Sequence, residues 1–303
     1  MTGATPGAVS ARYTASAALG YAWVIFRANP MAFLRLAILQ ALIFASTGFA
    51  MVWLMGWAGL NADAPPAEQV AATLRMSALT APVYLALAAL SIWIEALWLD
   101  VFFNRPRRLW PGWGDYGRLL LSFLIVLAVF LAGYLGVLFM GAIIIGVTAV
   151  IGGAGPAFLS GLLVFAAFMA FLILVQMRFT ALPGLVFMTG RLAVADAWRL
   201  TRGRMGALLL AWLGYAFAYL VAIALAAGLL SLTPASPWRA VQAAIEQPEN
   251  PLAQYEVYSI LVVDPGAAAW AFLLLLVSYL LFVPMMAISR AIGVRLALEG
   301  EPE

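Results

Sequence analysis

The chain of 303 residues is 66% hydrophobic and only 10% charged, with a formal net charge of +3. A soluble domain of this length needs far more polar surface, so the chain is predicted to reside in lipid. All sixteen basic residues are arginines, and histidine and cysteine are absent. These absences exclude Ser-His-Asp and Cys-His catalysis, thiolate and imidazole metal sites, disulfides and lysine Schiff bases.

The N-terminal residues 1–30 are predicted to form a helix that lies in the membrane interface. The segment from Ala8 to Ala28 is moderately apolar and mixes arginine with tyrosine and tryptophan, which is typical of the headgroup region. Pro30 disfavours the α conformation at Asn29, so the helix is expected to end there. The segment lacks the basic start and short apolar core of a signal peptide, and we expect no cleavage.

Six apolar runs are long enough to cross a hydrocarbon core of about 30 Å at about 1.5 Å per residue. They cover residues 31–57, 81–103, 119–151, 157–180, 205–232 and 266–298. The third run exceeds a straight crossing, and the stretch Gly152 to Pro156 is its expected break. Pro284 predicts a kink in the sixth run. The predicted fold is all-α: a polytopic membrane protein with six transmembrane helices and amphipathic interfacial helices, in a single domain over residues 1–303.

Two polar segments and a row of glycines complete the pattern. A short helix reaching Arg75 is expected after a turn in which Asp63 is a candidate cap. Residues 233–264 form a polar loop that is predicted to hold a short amphipathic helix around residues 238–246. Small residues let a second helix approach the third run closely. They are Gly133, Gly136, Gly141 and Gly146.

The arginines are distributed unevenly between the two sides of the predicted membrane. With both termini on the same side, only Arg75 and Arg239 lie on the opposite side. Because positively charged loops stay in the cytoplasm, both termini are predicted to be cytoplasmic and the loop 233–264 periplasmic. The positive charge follows topology and does not form a soluble basic face, so we expect no nucleic-acid partner. The expected location is the bacterial inner membrane, with multiple passes.

The stretch from Arg178 to Arg204, called here the elbow, gathers arginines between two apolar runs. Arg178, Pro183 and the sequence ADAWRLTRGR (Ala195 to Arg204) resemble the helix-to-helix junction of the six-span membrane domain found with some bacterial glycerophosphodiester phosphodiesterases. The elbow is also similar to that of related stand-alone inner-membrane proteins of unassigned role. The resemblance implies a membrane module without the enzyme, because no polar segment here is long enough to form a catalytic domain. It transfers no catalytic residue.

Basic side chains of the elbow are predicted to contact anionic lipid. On a continuous helix with about 100° per residue, Arg191, Arg199 and Arg202 fall within about 80° of one another. Each arginine near an anionic surface contributes about 1 kcal/mol of attraction. Such a face serves either as an anchor or for substrate recognition, and anchoring is the more common use. The candidate anionic-lipid contacts are Arg191, Arg199, Arg202 and Arg204.

A second set of polar residues is predicted at one level in the cytoplasmic half of the membrane. Glu95 lies about 10 Å inside the boundary, so its charge requires a partner or water. The set either fixes helix packing through ion pairs or lines a cytoplasm-facing cavity that receives an anionic headgroup or relays protons. Glu95 and Asp100 lie about 140° apart on a helix, so they do not form a catalytic dyad. The candidate polar layer comprises Arg35, Glu95, Asp100, Gln176, Arg178 and Arg290.

An internal similarity links the N-terminal segment with the elbow. Trp23 and Arg27, like Trp198 and Arg202, are four residues apart and are followed by a break and an apolar run. The similarity reflects either the shared chemistry of interface anchors or a duplicated unit of helix plus hairpin.

The sequence predicts a protein that is not an enzyme. It contains no phosphate-binding loop, dinucleotide fingerprint, metalloprotease motif or nucleophile elbow, and we expect neither cofactor nor metal. The predicted function is an accessory or scaffold protein of the bacterial envelope, linked to lipid homeostasis, with anionic membrane lipids as partners. A membrane-protein partner or a homo-oligomer is left open. The alternative is a small transporter or lipid flippase that uses the polar layer as a cytoplasmic-side cavity.

Overall fold

A computed structural model describes residues 13–58, 65–105, 112–232, 237–246 and 257–299. Every regular element in these ranges is helical, with a 3₁₀ turn at Val257–Ser259. The helices are α1 (Ala15–Ala28), α2 (Pro30–Trp57), α3 (Pro66–Phe102), α4 (Trp113–Gly152), α5 (Ala154–Phe179), α6 (Leu182–Thr189), α7 (Val194–Thr201), α8 (Met205–Leu230), α9 (Pro237–Glu246), α10 (Ile260–Val263) and α11 (Pro265–Leu298). The all-α prediction is confirmed.

Within the described residues, six helical stretches are long and apolar enough to cross a membrane, as predicted: α2, α3, α4, α5 with α6, α8 and α11. Their outward faces carry large apolar side chains. On α4 and α5, for example, Leu135, Val150, Phe158 and Leu163 are exposed. Such surfaces suit lipid because the hydrocarbon of a bilayer is as apolar as a leucine side chain. These features define a multi-pass helical membrane protein.

Helix α1 ends where the proline rule predicts. Asn29 leaves the helical conformation at φ −148° and ψ 59°, and Pro30 opens α2 at its first turn. Proline fits there because its missing N–H has no partner within the helix. Thr14 precedes α1, and its hydroxyl accepts a hydrogen bond from the backbone N–H of Ala17 at 3.2 Å. The predicted start of this helix at Ala8 lies outside the described residues.

Helix α3 differs from the predicted arrangement of a short helix followed by a separate span. It runs without interruption for 37 residues, with Pro82 inside it. The residues between Arg75 and Pro82 include no glycine or proline, and the hydroxyl of Thr80 donates to the carbonyl of Met76 at 2.9 Å. Loss of hydropathy therefore does not stop the helix. At about 1.5 Å per residue, α3 is about 55 Å long, well beyond the hydrocarbon core. Asp63, the candidate cap, lies outside the described residues.

Helices α4 and α5 form a hairpin that turns at the predicted glycine-rich break. Gly153 adopts φ +75°, a left-handed conformation that favours glycine, and α5 begins at the next residue. Two glycines of α4 permit close packing, since a Cβ on Gly133 would lie 2.1 Å from the ring of Phe171. A Cβ on Gly141 would similarly lie 2.7 Å from Val164. The other two glycines of the row, Gly136 and Gly146, face open space.

The chain forms two compact units. One, called here the elbow unit, comprises Met1–Tyr21, Pro111–Trp212 and Arg290–Glu303. The other, called here the bundle unit, comprises Ala22–Trp110 and Leu213–Ser289. Within the bundle unit α2 packs against α3, and Tyr219 of α8 contacts Phe282 of α11 with ring centroids 5.4 Å apart. The single integral domain stays a prediction.

Candidate functional site

Two short helices joined by a glycine turn form the elbow. Gly190 ends α6 at φ +65°, and its N–H donates to the carbonyl of Val186 at 3.0 Å. Gly203, at φ +83°, follows α7. The expectation of one continuous amphipathic helix is wrong, because Arg191 precedes α7 and Arg202 follows it in extended conformation. The arginines are therefore brought together by the turns and not by one helical face.

The elbow packs on the C-terminal part of α11. Residues 291–297 of that helix are all buried. A Cβ on Gly293 would lie 2.2 Å from the carbonyl oxygen of Thr180, so the backbones of the two segments are in direct contact. The indole N–H of Trp212 donates to the Thr180 hydroxyl at 3.1 Å and holds the start of α8 to the same point. These contacts fix the turn from which α6 and α7 extend.

An open cavity of about 1130 Å³ lies on the elbow, and all of its lining residues belong to the elbow unit. Its charged lining consists of four arginines and one aspartate, which gives it a formal charge of +3. Apolar side chains such as Leu185 and Met188 line the rest, with the hydroxyl groups of Tyr13 and Thr189. The four arginines are Arg191, Arg199, Arg202 and Arg204. They are the residues proposed above as contacts for anionic lipid.

Three of the four arginines form an exposed rim. Asp196 accepts a hydrogen bond from Arg191 at 3.0 Å and also pairs with Arg199. The side chains of Arg191 and Arg199 are 71% and 77% exposed, respectively. Arg202 is exposed as well. Because water screens exposed ion pairs, Asp196 holds its two arginines weakly. The rim arginines are therefore available to an anion that approaches from solvent or from the membrane surface.

The fourth arginine is fixed in place. Arg204 is 34% exposed, donates to the carbonyl of Leu200 at 3.0 Å and pairs with the Glu299 carboxylate at 3.2 Å. Glu299 is 10% exposed and lies 3.7 Å from the guanidinium of Arg295, which is 2% exposed. The Glu299 carboxylate thus contacts two arginines, one in the cavity lining and one buried. Sequence reasoning missed this cluster, although the spacing of Arg295 and Glu299 is that of neighbours on a helix.

Tyr13 also lines the cavity and was not predicted as a site residue. Its side chain is 4% exposed, and its hydroxyl is buried without a hydrogen-bond partner among the described residues. Burial raises the pKa of the Tyr13 phenol, and the nearby Glu299 carboxylate raises this pKa further. The phenol therefore keeps its proton and is a hydrogen-bond donor at neutral pH.

Arg178, the first residue of the elbow, has a structural role. It donates to the hydroxyl of Thr201 at 3.2 Å and to the carbonyl of Trp198 at 3.4 Å. Its guanidinium also lies 4.6 Å from the centroid of the Trp198 ring. These contacts join α5 to α7. In the N-terminal segment the corresponding Trp23 is instead covered by Arg27, 4.9 Å from its ring centroid, so the two tryptophans use cations at different positions.

The predicted polar layer is divided between the two units. Gln176 is exposed, Arg178 and Arg290 are half-buried, and all three belong to the elbow unit. Arg35 is exposed, Glu95 is half-buried, Asp100 is 8% exposed, and these three belong to the bundle unit. Pairing between Glu95 and an arginine, and a cavity at this level, stay predictions.

The bundle unit contains a buried polar contact that the candidate layer did not include. Gln40 is fully buried on α2; it accepts from the indole N–H of Trp98 at 2.6 Å and donates to the sulfur of Met286 at 2.6 Å. The ring of Phe33 meets Trp98 edge to face at 4.9 Å. A single glutamine within an apolar span signals such a contact, because an amide in lipid needs partners. Its partners cannot be identified from spacing.

Comparisons with known protein families, curated proteins and solved structures each find no match. The class of the protein therefore rests on its own helices, and the resemblance to the phosphodiesterase-linked membrane domain stays a prediction.

Proposed function

We propose that the protein is a non-catalytic accessory protein of the bacterial inner membrane that binds anionic phospholipid headgroups in the elbow cavity. The observation that carries this proposal is the convergence of four arginines on one cavity whose lining contains a single carboxylate. A planar guanidinium matches the oxygens of a phosphate with two parallel hydrogen bonds, so an arginine cluster suits this ligand. Binding of headgroups supports a role in lipid homeostasis.

The position of the cavity relative to the membrane is part of the proposal. The arginine asymmetry of the sequence supports cytoplasmic termini and a cytoplasmic elbow. Helices α1, α6 and α7 would then lie in the interface, where exposed aromatic residues such as Trp23 and Trp198 are favoured. In that orientation the exposed rim arginines face the anionic headgroups of the inner leaflet, and Leu185 and Met188 meet the apolar part of the lipid.

The size of the cavity supports a headgroup as ligand and not only a small ion. Ligand pockets in proteins commonly measure about 300–1,000 Å³. The elbow cavity, at about 1130 Å³, lies slightly above this range and has room for a phosphate together with its glycerol. Three exposed arginines at its rim would attract such a ligand over a distance comparable to the screening length of about 8 Å.

The test compares two charge-neutralising double variants of the full-length protein in nanodiscs. Arg199→Gln with Arg202→Gln removes two rim charges, whereas Arg75→Gln with Arg239→Gln removes two exposed charges elsewhere. Lipid affinity is measured from the shift in unfolding temperature as phosphatidylglycerol is titrated into phosphatidylcholine. At about 1 kcal/mol per arginine, the rim variant should bind phosphatidylglycerol about 30-fold more weakly. The proposal fails if the wild type does not distinguish the two lipids, or if both double variants lose the same affinity.

A further inference from the structure

We propose that Tyr13 and Arg204 form a specific binding site for a terminal phosphate, which makes the elbow cavity selective for a phosphomonoester headgroup such as that of phosphatidate. This inference rests on the proposed function and identifies the ligand class of the same cavity.

The Glu299 carboxylate interacts with both residues. Arg204 forms an ion pair with the Glu299 carboxylate at 3.2 Å, and the same carboxylate acts electrostatically on the Tyr13 phenol. Both residues line the cavity; Tyr13 is 4% exposed and Arg204 is 34% exposed. They are called here the inner end of the cavity, in contrast to the more exposed rim of Arg191, Arg199 and Arg202.

The Tyr13 hydroxyl is a donor without an acceptor. It is buried against the cavity and makes no hydrogen bond within the described part of the chain. A buried hydroxyl that lacks a partner lowers stability, so such groups are normally satisfied by protein, water or ligand. A phosphate oxygen at the inner end would accept from the phenol in a short, charge-assisted hydrogen bond. The neutral phenol donates to an anion without bringing a competing negative charge.

The charge at the inner end fits an anion that carries more than one negative charge. The cavity lining carries four arginines against Asp196, and Arg204 is the one of them that also pairs with Glu299. A phosphomonoester carries about −1.5 to −2 at neutral pH and offers three strong acceptor oxygens. A phosphodiester carries a single charge and has a substituent on each side. A terminal phosphate therefore presents three unsubstituted oxygens to Tyr13 and Arg204, whereas a phosphodiester presents two.

The experiment uses Tyr13→Phe, which removes one oxygen and keeps the ring. Full-length protein is placed in nanodiscs of phosphatidylcholine alone, or with phosphatidylglycerol or phosphatidate, and affinity is read from the unfolding temperature. Wild-type protein should prefer phosphatidate to phosphatidylglycerol. Tyr13→Phe should weaken phosphatidate binding about tenfold or more and leave phosphatidylglycerol binding unchanged. The control is Tyr134→Phe, on an exposed tyrosine of α4, which should change neither affinity.

A structural role for the hydroxyl predicts a different result. If Tyr13→Phe lowers the unfolding temperature in pure phosphatidylcholine, the hydroxyl has an acceptor within the protein and the inference is overturned. Glu299→Gln provides a second variant, because removal of the carboxylate beside the site should tighten phosphatidate binding several-fold. Damage to the fold cannot produce tighter binding, so unchanged or weaker binding in a folded Glu299→Gln protein also contradicts the inference.

Two soluble phosphate compounds distinguish a lipid ligand from a free phosphate. Inorganic phosphate and glycerol 3-phosphate are added to protein in phosphatidylcholine nanodiscs. Tyr13-dependent stabilisation by phosphatidate, with much weaker effects of the soluble compounds, supports a lipid ligand. Tyr13-dependent binding of glycerol 3-phosphate without binding of phosphatidate supports the terminal-phosphate site but overturns its lipid source. If anionic lipids stabilise the wild type and Tyr13→Phe equally, this inference fails and the proposed function stands; if no anionic lipid stabilises the wild type, both fail.

Discussion

Replacing Gly293 by alanine tests the contact on which the elbow is seated. The added Cβ would lie 2.2 Å from the carbonyl oxygen of Thr180 and 3.2 Å from its carbonyl carbon. Even favourable C–H···O contacts keep carbon and oxygen about 3.3 Å apart, so the two segments must separate by about 1 Å. The obstructing atom belongs to the backbone, so no change of side-chain rotamer relieves the contact.

The expected cost follows from two opposing effects. Overpacking of this kind costs about 1–3 kcal/mol, and a backbone clash lies at the upper end of that range. Replacing glycine by alanine within a helix stabilises the helix by about 1 kcal/mol. Gly293→Ala should therefore destabilise the protein by about 2 kcal/mol. Gly136→Ala is the matched control, because it makes the same change within α4 where a Cβ meets open space, and it should be neutral or stabilising by up to about 1 kcal/mol.

Both variants are measured by unfolding the full-length protein in detergent micelles with increasing dodecyl sulfate. Tryptophan fluorescence is a suitable signal because the indole of Trp212 bonds to Thr180 at the point of contact. The signal from Gly293→Ala should shift to lower denaturant concentration, and that from Gly136→Ala should not. If Gly293→Ala is as stable as the wild type, the elbow does not lie against α11 as described.

Two further predictions concern the buried polar groups. Gln40→Leu should destabilise the protein by about 1–3 kcal/mol, because it removes the side-chain oxygen that accepts from the buried indole N–H of Trp98. In a double-mutant cycle with Trp98→Phe, the double variant should lose less than the sum of the two single variants in the same unfolding assay, and a purely additive double variant would contradict the hydrogen bond. Because the pKa of Tyr13 is raised above its ordinary value of 10.0, the unfolded chain releases this proton at a lower pH than the folded protein, so the linked stability is fully present below that pH and falls as the pH rises through the folded-state pKa. Stability measured across the alkaline range should therefore fall less steeply in Tyr13→Phe, and identical slopes would contradict the shift.

The membrane helices could be predicted from the sequence because their signal is direct. A long apolar run without charges has few alternatives to a membrane helix, and Asn29-Pro30 and the Gly152–Pro156 stretch mark two helix ends by local sterics. The bounds of α3 show what hydropathy alone does not predict. Hydropathy reports which residues prefer lipid, whereas a helix ends where its hydrogen-bond pattern is broken, and nothing between Arg75 and Pro82 breaks it.

The elbow was predicted in composition but not in geometry. The arginines were recognised because they are clustered in the sequence. Their placement depends on Gly190 and Gly203, whose left-handed conformations divide the stretch into α6, α7 and extended links. A glycine in a polar segment is compatible with helix or turn, and the tertiary packing decides between them. The helical wheel that placed Arg191 and Arg202 on one face therefore assumed a continuous helix, which does not form.

Tyr13 and Glu299 were missed because they are distant from the elbow in sequence. Tyr13 reaches the cavity lining, and Glu299 reaches Arg204, only through the fold. No periodicity within one segment indicates such a meeting. A weak signal existed in the spacing of Arg295 and Glu299, but many such pairs lie on the solvent-exposed face of a helix. Only the burial of this pair distinguishes it from an ordinary surface ion pair.

Under the proposed function, the different burial of its arginines would let the elbow cavity both attract a ligand and hold it in one orientation. The bridge from Asp196 to Arg191 and Arg199 is exposed and weak, so an arriving anion can replace the aspartate at little cost. Arg204 differs, because breaking its pair with the nearly buried Glu299 would leave a carboxylate without compensation. An anion must therefore share Arg204 with Glu299 and not displace it. A ligand at this end needs an additional donor, and we propose that Tyr13, which lines the cavity and whose buried hydroxyl makes no hydrogen bond among the described residues, supplies it.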